Sequence, residues 1–558
     1  MTTLSMDLLA SLREITDNEV IAQLSPLNAT LTQRFAFPDV DETAKSEISK
    51  VLFARLSTVT PACLGAFLEL IRILSRDRHG IDALISEQTT DLLSVAAGCQ
   101  SVQIADLTSK SINLQVVLEA QKCLSNALYH SRVVRDRFMT SGAFDDIANR
   151  IKQRASAPTI PGEQELMLFS LQPMDASIAV KDAAQLRQFD LRLCFIVSAH
   201  AVEAQERLRD ILRVVESLVV LFDQHISHST SLSPTNDDEL SCEILKLLFN
   251  IFCHAKKDSL NNETIPKFEC MVKLCERAIK EAQSTVGNVP DLAQNAVNLL
   301  ATLPTAVLLL TPRPIGDSEG ASSHPSYDGY DMSFVNALLQ LFVRKLETVN
   351  KTETELLSTY LSVLIYISRS SKQARRYLRL KVVPPLHASD VEKRPEEGDS
   401  LRSRVVRLMM STSQARDLAA EFLFVLCKRS VPRLIKYSGF GNAAGLLANN
   451  GLLGGINSAP SASDSEDSET DDYEQVREQV NPVLGCIDEP KPNPFDGMSE
   501  EQKEYEAMKL VESLNKLMEE GVIKPGTVGE DGRLRPARHV LELRKDQDTK
   551  PDEGSDSD

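Results

Sequence analysis

The sequence has no long hydrophobic run. No stretch of its 558 residues approaches the about 18 consecutive apolar positions of a membrane helix, so no segment is expected to span a bilayer. The N-terminal MTTLSMDLLASLREI lacks the basic segment and apolar core of a secretory signal. Cysteine is sparse: 10 residues in a chain of this length exclude a disulfide scaffold. Cys63, Cys99, Cys123, Cys194, Cys242, Cys253 and Cys427 lie inside apolar stretches and read as buried thiols of a reduced compartment. Positive charge is in deficit, with 61 Lys and Arg against 79 Asp and Glu for a net charge of −18, which argues against nonspecific nucleic-acid binding. These absences describe an expected cytoplasmic protein with no nucleic-acid partner and no membrane insertion of its own.

The acidity is local. Residues 461–558 hold 27 acidic and 12 basic side chains, whereas the first 460 hold 52 and 49. From residue 5 to about 455 the apolar residues recur at three- and four-residue spacing, as in LGAFLELIRILSR (64–76), VVLEAQKCLSNALYHS (116–131) and CEILKLLFNIFCHA (242–255). This is a helical period, and strand-like alternation with Asn-Gly or Asp-Gly hairpins is nearly absent. The expected fold class is all-α.

One helical pattern returns along the body: ELIRILSRD (69–77), KCLSNALYH (122–130), RLCFIVSAH (192–200), KLLFNIFCH (246–254), NLLATLPTA (298–306), VLIYISRSS (363–371) and FLFVLCKRS (422–430). Aligned on one column, these carry Arg72, Asn126, Phe195, Asn250, Thr302, Tyr366 and Val425, on average about 59 residues apart. Armadillo and HEAT units run about 40–47 residues. The excess is assigned to exposed inserts at Ala155–Ala176, Ser227–Asp238, Pro312–Asp331 and His387–Ser400, each rich in Pro, Ser, Gly or charge. The expected architecture over 1–455 is an armadillo/HEAT-like right-handed helical-repeat solenoid. Stacking buries helix faces too apolar to stand alone, and the third helix of each unit lines a groove. Asn126 and Asn250 occupy the same point of that helix. Each either offers its amide to the backbone of a guest peptide or satisfies a neighbouring carbonyl.

Beyond Gly455 the composition changes. Residues 456–498, containing SAPSASDSEDSETDDYEQ, read as an acidic disordered linker. Residues 499–558 read as an amphipathic helix followed by an acidic tail. In that helix Ser499 and Gln502 form a capping box, Gly521 marks the stop, and Met508, Val511, Leu514 and Leu517 or Met518 form an apolar stripe. Ser463, Ser465, Ser468 and Thr470 stand among acidic residues, a context that suits an acidophilic kinase.

No catalytic constellation accompanies these features. GFGNAAG (439–445) has neither the spacing nor the preceding strand of a phosphate loop and reads as a tight turn between helices. His225 and His228 lack a carboxylate or cysteine at ligand spacing, so no metal site is expected. No cofactor is implied. Two basic clusters remain: Arg72, Arg76 and Arg78, the first two on one helix face, and Lys372, Arg375, Arg376 and Arg379. Facing a groove they would receive carboxylates; otherwise they are solvated surface.

The run AAEFLFVLCKRSVPRLIKYSGFGNAAGLLANNGLLGG (419–455) closely resembles the synembryn family, also called the resistance-to-inhibitors-of-cholinesterase family. RILSRDR (72–78), CLSNALY (123–129), LKLLFNI (245–251), VVPPL (382–386) and NPFDGMSEEQKEYEAMKLV (493–511) fit it in order. The resemblance implies a guanine nucleotide exchange factor and folding chaperone for heterotrimeric G-protein α subunits, whether GDP-bound, nucleotide-free or nascent. It implies no catalytic chemistry of the chain's own, an armadillo/HEAT-like body, a monomer, and any place at the cell cortex or membrane periphery coming through the partner. It further implies capture of the α subunit's C-terminal helix, with Arg72, Arg76 and Asn126, and Lys372, Arg375 and Arg376, at family groove positions. Lys372 stands where arginine is expected, which keeps charge and loses the guanidinium fork. Asn250 joins the groove set by its column, and the stripe of Met508, Val511 and Leu514 is the candidate second contact. The family's linker is phosphorylated by a casein-type kinase, with Ser465 and Thr470 the best matches. A generic armadillo adaptor without exchange activity is the alternative.

Overall fold

The computed structural model describes residues 4–105, 107, 109–156, 162–169, 171, 176–228, 236–255, 265–283, 289–303, 310–315, 325–349, 354–457, 470–488, 497–523, 526–528 and 534–536. Two units divide the chain: Met1–Glu281 with Pro290–Leu309, and Ala282–Val289 with Leu310–Asp558. The fold is all-α and armadillo/HEAT-like, and the column read from the sequence is its organising element.

In the first unit Arg72 lies on helix Pro61–Leu74, Asn126 on Leu114–His130, Phe195 on Ala176–His200, Asn250 on Asn236–Cys253 and Thr302 on Asp291–Thr302. Each of these helices packs on the next in chain order, and helix Asp17–Leu31 packs before the first. Local chemistry starts them. The Thr60 hydroxyl caps the Arg72 helix by accepting from the Cys63 N–H, with Pro61 at the first helical position, and Asn113 caps the Asn126 helix through the Val116 N–H. Propensity alone would leave such helices marginal. Fully buried Phe67, Leu70, Ile71 and Leu74, and Val117, Leu124 and Leu128, hold them, each large side chain contributing about 1.5–3 kcal/mol. In the second unit Tyr366 lies on Leu357–Ser370 and Val425 on Ala415–Leu426; these two helices pack together, flanked by Ser333–Thr348 and Leu401–Met409.

Three segments depart from the sequence reading. The insert 155–176 is not an exposed loop throughout. Glu165, Leu166, Phe169 and Leu171 are buried, and the apolar three pack with Leu114, Val117 and Leu186. The run LMLFSL carried that signal, and the flanking Pro and Gly obscured it. Within 312–331, Ser326–Tyr327 pairs antiparallel with Tyr330–Asp331 across Asp328 and Gly329, both at positive φ (52° and 76°), a primed Asp-Gly hairpin. Finally, part of the stretch expected as a disordered linker is folded. Thr470–Asp488 returns to the second unit as helix Asp471–Val476 and a hairpin pairing Val480–Asn481 with Cys486–Ile487.

The hairpin explains GFGNAAG. Gly439 separates helices Val431–Ser438 and Phe440–Asn449 at φ 73°, and a Cβ there would stand 3.0 Å from the backbone of Leu484. The Phe440 and Gly441 N–H groups donate to the carbonyls of Pro482 and Val483, both at 2.9 Å. Only Gly439 of the glycine-rich run is therefore the tight turn; Phe440–Gly445 open the next helix and seat the returning hairpin. All ten cysteines are free thiols; of the seven expected in the core, Cys242 and Cys253 are only half-buried. Among the described residues no helix is long and apolar enough to cross a membrane.

Candidate functional site

The packed row of helices is fastened by a repeated rung. Asn126 Nδ2 donates to the Arg72 carbonyl at 3.1 Å and to Ser75 Oγ at 3.0 Å. Asn250 Nδ2 donates to the Phe195 carbonyl at 3.0 Å and to Ser198 Oγ at 3.1 Å. Each amide nitrogen thus joins its helix to the column residue of the preceding one, so the neighbouring-carbonyl use of Asn126 and Asn250 is the one the structure contains.

Arg72 sits beside the first rung. Its Nε donates to Glu119 Oε2 at 2.6 Å and its Nη2 to Glu69 Oε1 at 3.3 Å. Glu119 is 4% exposed and also accepts from Lys122 Nζ at 2.8 Å. A buried carboxylate with two charged donors is a fixed anchor. It orients the guanidinium from one edge, while Glu69, far more exposed, holds the outer edge loosely. Sequence reading missed Glu119. The recurrence of E-x-x-K-x-x-x-N at 119–126 and 243–250 was the available signal.

Arg76, expected on one helix face with Arg72, lies instead in the turn just past the helix end at Leu74 and is occupied differently. Its Nη1 donates to the carbonyls of Thr32 at 2.7 Å and Arg34 at 3.3 Å, and its guanidinium lies over the exposed Phe35 ring, 5.3 Å from the centroid. Burial, and then the neighbouring Arg72 charge, pull its pKa below the ordinary arginine value. The structure thus brings Arg72, Arg76 and Asn126 together, with Arg76 tying down the chain after helix Asp17–Leu31.

Lys372, Arg375 and Arg376 open helix Lys372–Val382 of the second unit, capped by Ser371 Oγ accepting from the Ala374 N–H at 3.1 Å. A cation in a first helical turn opposes the helix dipole, so helix stability gives no reason for these residues. Arg375 Nη1 donates to the Ser368 carbonyl at 3.1 Å. Burial lowers its pKa most, followed by the charges of Arg376 and Arg429. Arg429 is placed there by a turn in which Lys428 and Arg429 both adopt left-handed φ values, 55° and 57°, without glycine.

Helix Glu500–Glu519 is formed as expected. The Ser499–Gln502 capping box is closed and Gly521 adopts φ 72°. None of its residues is buried. Of the stripe, Met508 is 76% exposed, while Val511 and Leu514 are half-buried; Tyr505 and Leu510 are exposed beside Met508. Ser463, Ser465 and Ser468 lie outside the described residues. Thr470 is described: its hydroxyl donates to the Leu386 carbonyl, and Asp472 next to it accepts from the Ala388 N–H at 3.0 Å. That backbone bond first, then Thr470 and His387, hold the Asp472 carboxyl down at about 2. Tyr473 is buried beneath Lys436, whose ammonium stands 4.5 Å from the ring centroid. No group of three or more metal-ligating side chains occurs among the described residues.

Residues 67–533 match the family described as guanine nucleotide exchange factor synembryn. "Chaperone ric-8" of Caenorhabditis elegans is 36% identical over 522 residues, covering 88% of each chain. "Chaperone Ric-8A" of Gallus gallus is 33% identical over 552 residues, covering 96% of each, and that of Bos taurus is 33% identical over 551 residues, covering 96% of this chain and 97% of its own.

Proposed function

Because this chain belongs to the synembryn family of guanine nucleotide exchange factors, we propose that it binds heterotrimeric G-protein α subunits, releases their GDP, and holds the nucleotide-free or nascent protein as a chaperone. The observation that carries the reading is the Arg72 guanidinium, anchored at Nε by buried Glu119 while, among the described residues, its outer edge is held by Glu69 alone. A terminal carboxylate of the α subunit's C-terminal helix can replace Glu69 there without disturbing the anchor. Arg76, Asn126 and Asn250 support this surface by fastening its helices, and Lys372, Arg375 and Arg376 supply a second positive patch.

Exchange then follows by linkage. A helix drawn out of the α subunit no longer supports its nucleotide pocket, and each ligand weakens the other by the same factor. A nanomolar nucleotide is held by about 12 kcal/mol. One captured helix offsets only part of that. The exposed Tyr505, Met508 and Leu510 of the C-terminal helix, with Val511 and Leu514 behind them, provide apolar area for a second contact with the loosened domain. No covalent step is needed, because the chain only shifts an equilibrium. A casein-type kinase acting on Ser463, Ser465, Ser468 or Thr470 would adjust how the 470–488 segment lies on the second unit.

The test is release of labelled GDP from purified α subunits, with and without this chain. An α subunit lacking its last residues and the Arg72→Ala variant serve as arms. Accelerated release that disappears with either change supports capture through Arg72. Tight binding with unchanged release leaves an adaptor and removes the exchange reading.

A further inference from the structure

The Arg72–Glu119–Lys122 arrangement has a counterpart two helices further along the same unit. Glu243, seven residues before Asn250 as Glu119 is before Asn126, has a side chain 4% exposed. Its Oε1 accepts from Arg192 Nη2 of the preceding helix at 2.9 Å and from Lys246 Nζ at 3.2 Å. The buried carboxylate, the lysine three residues on, and the arginine from the neighbouring helix are thus repeated at the same spacing.

The two rungs differ in charge and in use. In the first, two cations meet two carboxylates: Glu119 takes Arg72 and Lys122, Glu69 takes the outer edge of Arg72, and Gln115 Nε2 adds a bond to Glu119 Oε1 at 3.4 Å. In the second, two cations share one oxygen of one carboxylate, and buried Glu243 Oε2 has no partner among the described residues. Glu239, one turn earlier, accepts from Gln188 Nε2 at 3.3 Å. Among the described residues Arg192 spends a single N–H, so a full edge of its guanidinium fork remains for a bidentate acceptor. Arg192 and Lys246 are also the exposed members of the rung, at 40% and 37%.

We propose that Arg192 and Lys246 form a second carboxylate acceptor on this surface, taking an Asp or Glu side chain of the same partner helix whose terminal carboxylate meets Arg72. The inference rests on the capture reading above and adds a specificity contact to it. Packed helices lie about 8–10 Å apart, so two steps along the row span about 16–20 Å. A helix rises about 1.5 Å per residue, which puts the acidic side chain about 11–13 residues before the partner's C-terminus. α subunits with an acidic residue at that position bind more tightly than those with a neutral or basic one.

The experiment uses the full chain and a labelled peptide of the last twenty or so residues of an α subunit. Peptide binding is measured by anisotropy for Lys246→Met, Arg192→Lys and Arg72→Ala. Each is repeated with a C-terminally amidated peptide and with peptides carrying single Asp→Asn or Glu→Gln changes. The expected result is a loss on the order of five- to tenfold for Lys246→Met and for one upstream neutralised peptide, with no further loss when both are combined. Amidation should be additive with Lys246→Met and non-additive with Arg72→Ala. Unchanged affinity in Lys246→Met and Arg192→Lys, with Arg72→Ala still impaired, overturns this inference and leaves the capture reading standing. A peptide that does not bind the unaltered chain overturns both. Melting curves matching the parent separate a binding loss from misfolding.

Discussion

Arg72 Nε donates to Glu119 Oε2 at 2.6 Å, and that one bond decides which edge of the guanidinium faces inward. The buried carboxylate fixes it, and Glu69 occupies the remaining edge at 3.3 Å. A partner carboxylate captured as proposed would therefore compete with Glu69, not with Glu119. Glu69→Gln should tighten α-subunit binding by a few fold, whereas Glu119→Gln should weaken it by releasing Arg72 from its orientation. Titration of both variants against one α subunit checks this. Equal effects of the two changes would contradict it.

The Asn rungs predict a stability effect in place of a binding effect. Asn126→Ala and Asn250→Ala each remove an amide that joins two helices, at a cost of about 1–3 kcal/mol per site where the freed carbonyl stays buried. Thermal melts should register that loss. Affinity of the folded fraction should fall much less than in Arg72→Ala. A variant that melts like the parent but loses its partner would return the amides to peptide binding.

Asp190 predicts an acid-sensitive core in the first unit. It is fully buried and accepts from Arg150 at 2.7 and 3.0 Å, Arg154 at 2.8 Å and Gln121 at 3.0 Å. Burial pushes its carboxyl up, but Arg150 and Arg154 together pull it further down, so its pKa lies below the ordinary carboxylate value. A depressed folded pKa lends stability above the unfolded carboxylate value of about 4, and that stability is lost as pH falls through the folded value. Asp190→Asn should destabilise by about 3–5 kcal/mol at neutral pH, because buried Arg150 loses its carboxylate and Arg154 is left with Glu165 alone. It should also flatten the decline of the melting temperature below pH 4, which melts across pH 3–7 would record.

Much of this fold was legible because it depends on a period. Apolar spacing placed the helices, and the column Arg72 to Val425 fell on successive packed helices within each unit. The Ser499 box and Gly521 stop were legible because capping is local. Long-range pairings were not. Glu119 meets Arg72 across 47 positions and Asp190 meets Arg150 across 40, and no spacing rule links such residues. The fold-back of Phe169 was hidden for the same reason. Its partner is the face of Arg150, 4.3 Å away, and a composition rich in loop residues spoke against burial.

Thr470 and Asp472 predict how the returning segment is released. The Thr470 hydroxyl donates to the Leu386 carbonyl, and Asp472 takes the Ala388 N–H. Asp472, held at about 2, keeps this contact intact down through the ordinary carboxylate range and loses it only near pH 2. Asp472→Asn should raise hydrogen exchange across 470–488 at neutral pH, and the unaltered chain should keep its protection at pH 4. A phosphate on Thr470 removes the hydroxyl donor and adds about −1.5 to −2 charge. Kinase treatment should therefore change exchange in this segment more than Ser463→Ala, Ser465→Ala and Ser468→Ala do without kinase.

The exposed side of helix Glu500–Glu519 predicts a contact separable from the Arg72 surface. Tyr505, Met508 and Leu510 are 67%, 76% and 61% exposed, so changing them removes no packing. Met508→Ser with Leu510→Ser should leave the melting temperature within a degree or so of the parent. If the helix supports the loosened nucleotide domain, the double change should slow GDP release several-fold. If capture runs through the Arg72 surface, binding of the isolated C-terminal peptide of the α subunit should stay unchanged. Arg72→Ala should show the opposite pattern, losing the peptide and the intact α subunit together. A Met508/Leu510 variant that releases GDP at the parental rate would leave the helix without a part in exchange, and the offset of about 12 kcal/mol would have to come from the solenoid alone.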